Sequence, residues 1–399
     1  MRRRSILLAT VPLAALLGFA GVQAWRPLPE PRVADPAHST LLFPGPPLSP
    51  AWPTYGQAAV GVDGVGEVAA SGVQAPVPIA SVTKLMTALV VVRAHPLALG
   101  QSGPEVPITP ADQALYVQEL AAGDSVVAVQ AGETLSEQQL LEGLLIPSAD
   151  NLARVLAEWD AGTVPAFVAR MNQEARDLGM RHTTFVDSSG LDPGSSSTAS
   201  DLLRLAAAVM AQPALAAVAD MSKATLPVAG VVHNYDFVLG QAGVVGLKTG
   251  WTSSSGGCFV AAARDGIGGT EQVVTAAVLG APGGPISAIR LAEAGAVRLL
   301  ESVVPRFTLR PVPSTLPVLL SGWHSPVPLR ASPVLEVVGW PGLTIQLRLR
   351  RLYLEAALHR GAAVAEIEAR TSGGAVGTTW LRLRSALPLP SLWWRLTHF

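Results

Sequence analysis

The stretch "PIASVTKLM", residues 78–86, decides the fold and contains a residue type that this chain otherwise avoids. Lysine and arginine total 28 residues, and lysine occurs only at Lys84, Lys223 and Lys248. On a helix, residues three positions apart lie on the same face, so the side chains of Ser81 and Lys84 can meet. Because arginine stays protonated whereas a buried lysine can lose its proton, the pattern predicts a serine hydroxyl activated by an amine.

The helix that this stretch begins, "IASVTKLMTALVVVRA" at about residues 79–94, is apolar on nearly every side beyond its first turn. A helix of this kind belongs in the middle of a domain rather than on its surface. Burial there would favour a neutral amine at position 84. The tetrapeptide S-x-x-K taken alone occurs in many unrelated proteins, so the interpretation needs further motifs.

A second lysine motif, "GLKTGW", places Lys248, Thr249 and Gly250 on a predicted strand. A peptide substrate could extend the sheet along this strand, with its carboxylate next to Lys248 and Thr249. A glycine lets the substrate backbone come close to the strand. The motif therefore predicts a site for the anionic end of a peptide.

The third element is "PSADN", where Pro147 interrupts the helical periodicity of residues 135–160 and predicts two helices with a short break. Ser148, Asp150 and Asn151 supply a hydroxyl, a carboxylate and an amide. These groups could relay protons or hold the Lys84 ammonium. Helix capping explains the same residue types, and this motif alone does not decide between the two.

In the order S-x-x-K, S-x-(D/N) and K-T-G, the three motifs form the active-site set of penicillin-recognising serine enzymes. Over about residues 54–300 the chain resembles low-molecular-weight penicillin-binding proteins, which are serine-type D-alanyl-D-alanine carboxypeptidases. The stretches "LLEGLLIPSADNLARVLAE" and "MRHTTFVDSSGLDPGSSS" resemble further blocks of that family.

The resemblance implies a role for each matching residue. Ser81 would be the acylated nucleophile, Lys84 its base and Ser148 the hydroxyl that handles protons at the leaving amine. The substrate carboxylate and strand would be bound by Lys248, Thr249 and Gly250, and the oxyanion by the backbone N–H groups of Ser81 and Trp251.

The second motif departs from the family pattern, which is usually Ser-Gly-Asn or Ser-Ala-Asn. Here the order is Ser148-Ala149-Asp150-Asn151. If the register is kept, Asp150 enters the site, where a carboxylate would pair with the Lys84 ammonium and hinder its role as a base. If the register slips, Asn151 enters instead. The sequence leaves both possibilities open.

The chain is expected to divide into five segments. A basic start followed by an apolar run predicts an exported protein. The segments are a signal peptide or membrane anchor (1–24), a Pro-rich linker (25–53), a serine DD-peptidase domain (54–305), a small all-β domain (306–388) and an aromatic C-terminal tail (389–399). The expected fold class is α+β, an antiparallel sheet flanked by helices with a helical subdomain, in the penicillin-recognising serine-enzyme fold.

The composition and the net charge limit the kinds of partner that the chain is expected to bind. A formal net charge of −1 with 14% charged residues gives no electrostatic reason to bind nucleic acid. The lone Cys258 excludes an internal disulfide and is expected to be a core residue, and the seven histidines show no metal-binding spacing, so no metal and no cofactor is expected. The resemblance implies peptidoglycan stem peptides as substrate, β-lactams as inhibitors and, through the N-terminal segment, a possible membrane contact.

Two alternative functions stay open. A β-lactamase needs a dedicated deacylating group, and residues 155–175 offer Glu158 and Glu174 but no E-x-x-x-N pattern. A non-catalytic cell-wall recognition protein would keep the fold without turnover, and its only support is the departure at Asp150.

Overall fold

The computed structural model describes residues 2–34, 40–312, 317–352, 354–371 and 373–398. The chain forms two compact units. The larger unit is Gly45–Thr308, and the smaller one combines Met1–Pro44 with Leu309–Phe399.

The helices of the described residues, in chain order, are α1 (Arg2–Trp25), α2 (Lys84–Ala94), α3 (Pro110–Ala122), α4 (Glu137–Leu145), α5 (Asp150–Ala161), α6 (Val164–Asp177), α7 (Ala199–Met210), α8 (Pro213–Ala219), α9 (Pro285–Val303) and α10 (Leu392–Thr397).

The strands are β1 (Arg32–Val33), β2 (Thr40–Leu42), β3 (Gln57–Val62), β4 (Gly66–Ser71), β5 (Val77–Pro78), β6 (Glu105–Pro107), β7 (Thr134–Ser136), β8 (Ser196–Ser197), β9 (Lys223–Leu226), β10 (Gly230–His233), β11 (Val244–Thr252), β12 (Gly256–Ile267), β13 (Thr270–Ala281), β14 (Thr308–Val312), β15 (Val318–Leu320), β16 (Val327–Ser332), β17 (Leu335–Gly339), β18 (Thr344–Arg351), β19 (Ala363–Thr371) and β20 (Gly374–Leu383).

A five-stranded sheet with the order β11-β12-β13-β3-β4 is the centre of the larger unit. Each neighbouring pair is antiparallel, and β3 and β4 form a hairpin. Helices α7 and α9 pack against this sheet. All six residues of β3 are buried, so both faces of the sheet are covered there. The predicted α+β class is confirmed, and β11 stands at the edge of the sheet.

The predicted central helix is also confirmed. A 3₁₀ turn at Ala80–Thr83 leads into α2, and every residue from Lys84 to Val92 is buried. Helices α4, α5, α6 and α7 pack around α2. The predicted break between α4 and α5 is confirmed as well, since α4 ends at Leu145 and α5 begins at Asp150. Cys258 is fully buried in β12, in agreement with its expected place in the core.

The smaller unit contains a seven-stranded sheet with the order β1-β15-β16-β20-β19-β18-β2. The side chains of β18 alternate, with Ile345 buried between the exposed Thr344 and Gln346. Burial on one face and exposure on the other is the usual consequence of period-two alternation in a strand.

The expected linker at residues 25–53 needs a correction. Arg32–Val33 pairs with Leu319 and Leu320, and Thr40–Leu42 pairs with Thr344, Ile345 and Gln346. Phe43 is buried against Gly339, where any side chain would meet the phenyl ring. Prolines do exclude a long strand here, but two- and three-residue strands fit between them.

The two ends of the chain lie together in the smaller unit. The Arg395 guanidinium donates to the carbonyl of Ala24 at 2.6 Å, and the rings of Trp394 and Trp323 meet edge to face at 6.0 Å. The C-terminal segment therefore packs within the smaller unit, while Trp393 stays 75% exposed. Among the described residues, no single helix has both the length and the apolar character to cross a membrane, and only α7 and α8 together, bent by 109°, meet that test by length and composition.

Candidate active site

The turn that carries Ser81 has an unusual backbone. Ala80, directly before Ser81, has φ +48°, a left-handed conformation that side-chain-bearing residues rarely adopt. Two glycines make room for this turn. A Cβ on Gly190 would lie 1.8 Å from the carbonyl oxygen of Ala80, and a Cβ on Gly250 would lie 2.9 Å from the backbone nitrogen of Ser81. The missing side chains let two other segments press against the turn.

Lys84 is completely buried and contacts three oxygens. Its Nζ lies 2.8 Å from Ser81 Oγ, 2.6 Å from Asp150 Oδ1 and 3.1 Å from the carbonyl oxygen of Ser189. The amine therefore touches the hydroxyl whose proton it would take. The 3₁₀ turn Ala80–Thr83, which leads into α2, sets the i, i+3 spacing, and the apolar residues of α2 keep water away from the amine.

The structure decides between the two registers of the second motif. Asp150 begins α5, is 3% exposed and pairs with Lys84. Asn151 turns away, because its amide clamps the backbone of Val127, donating to the carbonyl at 2.9 Å and accepting from the N–H at 3.1 Å. The register is kept, and a carboxylate occupies the position where the resembling family has an amide.

Both carboxylate oxygens of Asp150 accept a hydrogen bond. Oδ1 accepts from Lys84, and Oδ2 accepts from the backbone N–H of Ser125 at 3.2 Å. Burial raises the pKa of the Asp150 carboxyl, while the adjacent Lys84 ammonium opposes that rise. The pair is therefore a buried ion pair whose geometry depends on the 125–127 segment.

The third motif lies on the edge strand β11. Lys248 is 2% exposed and Thr249 is 4% exposed. Burial, together with the charge of Lys84, lowers the pKa of Lys248 to about 7, and Asp150 and Asp236 act in the opposite direction. Because this pKa lies close to neutral pH, the protonation of Lys248 is sensitive to each charge around it.

The motifs meet at one cleft of about 380 Å³. Six of the predicted site residues line it, namely Ser81, Ser148, Asp150, Thr249, Gly250 and Trp251. Ser148 has φ +66°, a second strained backbone position within this site. The indole N–H of Trp251 donates to the carbonyl of Gly283 at 3.2 Å, which fixes the ring at the rim. Asn151 points elsewhere, since its amide binds the backbone of Val127.

The sequence did not predict the residues whose backbone atoms contact Lys84 and Asp150. The carbonyl of Ser189 binds Lys84, and the N–H of Ser125 binds Asp150. Asp187 organises the first of these segments, since its Oδ2 accepts from the N–H groups of Gly190 and Leu191. The resemblance of "VDSSGLDPG" to a family block was a signal for this segment. A backbone contact, however, can be made by any residue type, so the sequence does not indicate it.

A serine and a buried lysine in hydrogen-bond contact, beside an edge strand with a lysine and a threonine, define the class of serine acyl-transferring enzymes. No group of three or more His, Cys, Asp or Glu side chains in the described part of the chain is arranged to hold a metal ion. The sequence profile of the D-alanyl-D-alanine carboxypeptidases, peptidase family S11, matches residues 59–283. The chain belongs to this family.

Curated relatives agree with this assignment. The chain is 35% identical over 157 residues to D-alanyl-D-alanine carboxypeptidase DacB2 of Mycobacterium tuberculosis, covering 38% of this chain and 54% of the relative. It is 32% identical over 199 residues to a D-alanyl-D-alanine endopeptidase of Pseudomonas aeruginosa, covering 46% and 58%. The chain thus spans about half the length of the curated relatives it matches.

A solved structure shows the same fold. Penicillin-binding protein 6B of Escherichia coli superimposes with a TM-score of 0.61 at 24% identity, over 85% of this chain and 99% of that one. The fold class predicted from the motifs is confirmed by this likeness.

Proposed function

We propose that this protein is an exported serine D-alanyl-D-alanine carboxypeptidase that removes the terminal D-Ala from peptidoglycan stem peptides. The observation that carries the proposal is the 2.8 Å contact between Ser81 Oγ and Lys84 Nζ beside the edge strand with Lys248 and Thr249. Membership of the carboxypeptidase family supports the same activity.

The acylation step follows from these contacts. Ser81 Oγ attacks the carbonyl carbon of the penultimate D-Ala while its proton moves to the neutral amine of Lys84. By the family resemblance, the backbone N–H groups of Ser81 and Trp251 would bind the oxyanion. When the C–N bond breaks, the departing amine takes up a proton through Ser148, and the D-Ala leaves with its carboxylate released from Lys248.

The second half of the reaction is hydrolysis. Water attacks the ester carbonyl, its proton is accepted by the same amine, and Ser81 is regenerated with a free peptide carboxylate. A β-lactam enters the first half only, because opening its ring leaves no separate amine to depart. The drug therefore stays attached to Ser81 with its full mass.

The proposed location outside the cytoplasm rests on the N-terminal sequence. Arg2, Arg3 and Arg4 precede an uncharged run from Ser5 to Val22. Positive charge before an apolar segment favours retention of that charge on the cytoplasmic side. Peptidoglycan lies on the other side, so export would bring the site to its substrate.

Mass spectrometry after treatment with penicillin tests the proposal. We expect a covalent adduct on Ser81, none in Ser81→Ala, and a loss of at least about a hundredfold in acylation rate in Lys84→Arg, because arginine cannot act as the base. Release of D-Ala from a pentapeptide should follow the same order. An unlabelled Ser81 would refute the proposal, and rapid turnover of nitrocefin would favour the β-lactamase alternative.

A further inference from the structure

One acidic side chain of the cleft has no part in the proposed chemistry. Residues 123–125 line the same cleft as Ser81. Among the described residues that line this cleft, the side chains charged at neutral pH are two acids, Asp124 and Asp150. Asp150 is paired with Lys84 at 2.6 Å. The carboxylate of Asp124 is therefore the charge that the cleft wall offers to a bound molecule.

The Asp124 carboxylate has no partner in the part of the chain that the structure describes. Its side chain is half-buried, and its oxygens take part in none of the hydrogen bonds and ion pairs of the described residues. Arg154, one helical turn after Asp150, is already paired with Glu158 at 2.8 Å. An unpaired carboxylate in a cleft is complementary to a cation on the ligand.

The backbone holds Asp124 in place before any ligand arrives. Gly123 ends α3 in the left-handed conformation, with φ +84°, and the N–H of Asp124 donates to the carbonyl of Glu119 at 3.0 Å. On the other side, the carbonyl of Ser125 accepts from the N–H of Asp150 at 2.7 Å, and the N–H of Ser125 donates to Asp150 Oδ2 at 3.2 Å. Asp124 is thus fixed between the end of α3 and the start of α5, which lowers the entropy lost when it binds a ligand.

The other acids nearby add to the demand for a cation. Burial raises the pKa of the Asp150 carboxyl, and the charge of Asp124 adds to that rise. Burial, followed by the charges of Asp150 and Asp124, raises the pKa of Glu119 to about 7. A cation bound at Asp124 would relieve this repulsion.

Peptidoglycan stem peptides carry a cation that fits this carboxylate. The residue before D-Ala-D-Ala is a diamino acid, and its side-chain amine is charged at pH 7 until a cross-link acylates it. In the proposed function the terminal carboxylate lies at Lys248 and Thr249 and the scissile carbonyl at Ser81. The acyl part of the peptide is then the part left to meet Asp124, where an ammonium can form a charge-assisted hydrogen bond.

We propose that Asp124 is a specificity residue that binds the side-chain ammonium of the residue before D-Ala-D-Ala. The cleft thereby selects stem peptides whose diamino acid is still free over peptides in which a cross-link has neutralised that amine. This inference rests on the proposed function, because the ammonium belongs to the peptide that Ser81 cleaves.

Two peptides that differ only at this amine test the inference on the full chain. Both are L-Lys-D-Ala-D-Ala acetylated at the α-amine, and the second is acetylated at the ε-amine as well. We expect kcat/KM for D-Ala release to be about fivefold higher for the peptide with the free ε-amine, the effect of a strong ion pair that solvent still reaches. The preference should shrink in about 0.5 M salt, because salt screens such a pair.

The matched variants assign the preference to one side chain. Asp124→Asn should bring the ratio of the two kcat/KM values to about one, because asparagine keeps the shape of the side chain and removes its charge. Asp63→Asn, in an exposed turn, is the control and should keep the full preference. An unchanged ratio in Asp124→Asn would overturn the inference.

The outcomes separate this inference from the proposed function. The comparison of the two peptides uses the unmodified protein alone, so it decides even if Asp124→Asn does not fold. An unmodified protein that releases D-Ala equally well from both peptides keeps the proposed function and refutes the role of Asp124. One that releases D-Ala from neither peptide refutes the proposed function, and the inference with it.

Discussion

Lys84 has two neighbours with opposite demands. In the proposed mechanism Ser81 needs a neutral amine that can accept its proton, whereas the Asp150 carboxylate at 2.6 Å stabilises the charged ammonium. Removing one partner of a buried ion pair is usually costly, but an amine can avoid that cost by losing its proton. Position 150 therefore sets how much of the amine is ready to act as a base.

We expect Asp150→Asn to accelerate penicillin acylation at pH 7 by about tenfold, because asparagine keeps one of the two acceptor oxygens and removes the negative charge. Stopped-flow acylation at pH 7 measures the rate. A slower reaction would show that the carboxylate assists catalysis. Asp160→Asn, outside the cleft, is a control for the loss of one buried carboxylate.

The first two residues of helix α5, Asp150 and Asn151, point in different directions and make different contacts. Successive residues on a helix point about 100° apart, so Asp150 and Asn151 cannot both face the cleft. The amide of Asn151 holds Val127, and the same segment carries Ser125, whose N–H binds Asp150. Helix α5 thus supports the ion pair of Lys84 and Asp150 through Asn151, which holds the segment whose backbone binds Asp150.

Asn151→Ala should lower the free energy of unfolding by about 2–4 kcal/mol, because it leaves a buried donor and a buried acceptor of Val127 without partners. Urea denaturation of the purified protein measures this loss. Asp150→Asn should lose less stability, since it leaves both contacts between Asn151 and Val127 in place. Equal stabilities of Asn151→Ala and the unmodified protein would contradict the clamp.

The first turn of helix α4 carries a buried acid. Glu137 is 0% exposed, and neither of its carboxyl oxygens has a hydrogen-bond partner in the described structure. Burial raises the pKa of Glu137 to about 7 from its ordinary value of 4.5. The folded state therefore holds a proton that the unfolded state releases, and the stability from this group is lost as pH rises from 4.5 through about 7.

Glu137→Gln should remove this part of the pH dependence, because glutamine matches the protonated acid in shape and cannot ionise. We expect the melting temperature of the variant to exceed that of the unmodified protein at pH 8 and to match it at pH 5. Differential scanning calorimetry at the two pH values checks this. Glu67→Gln, on an exposed strand position, should show neither effect.

At the scale of the whole molecule, every residue of the site belongs to the unit Gly45–Thr308. The smaller unit is a separate sheet with its own core, in which Ile345 is completely buried. Chemistry and the β-unit are therefore expected to respond separately to mutation.

Ile345→Asp should unfold the smaller unit, since an unpaired carboxylate in its core costs several kcal/mol. Acylation of Ser81 by penicillin should stay within about twofold. Circular dichroism melts and the acylation rate, measured on the same sample, test the two statements together. Loss of acylation would show that the site depends on the β-unit. Thr344→Asp, exposed on the same strand, should be neutral.

The chemistry of the site could be predicted from the sequence because its signals are local. Helical spacing places Ser81 against Lys84, strand character presents Lys248 and Thr249, and a proline marks the break before Asp150. Each depends on residues that are close together in the sequence, as the amine at position 84 is to the hydroxyl three residues earlier.

Only the tertiary structure decided what depends on distant backbone. Asp150 rather than Asn151 lies in the site because the Asn151 amide binds the backbone of Val127, which is 24 residues earlier in the sequence. The tertiary structure also turned part of the Pro-rich segment into strands, since Thr40–Leu42 finds its partners at Thr344–Gln346, about 300 residues later. Backbone groups are the same in every residue type, so no pattern in the sequence indicates which of them will meet.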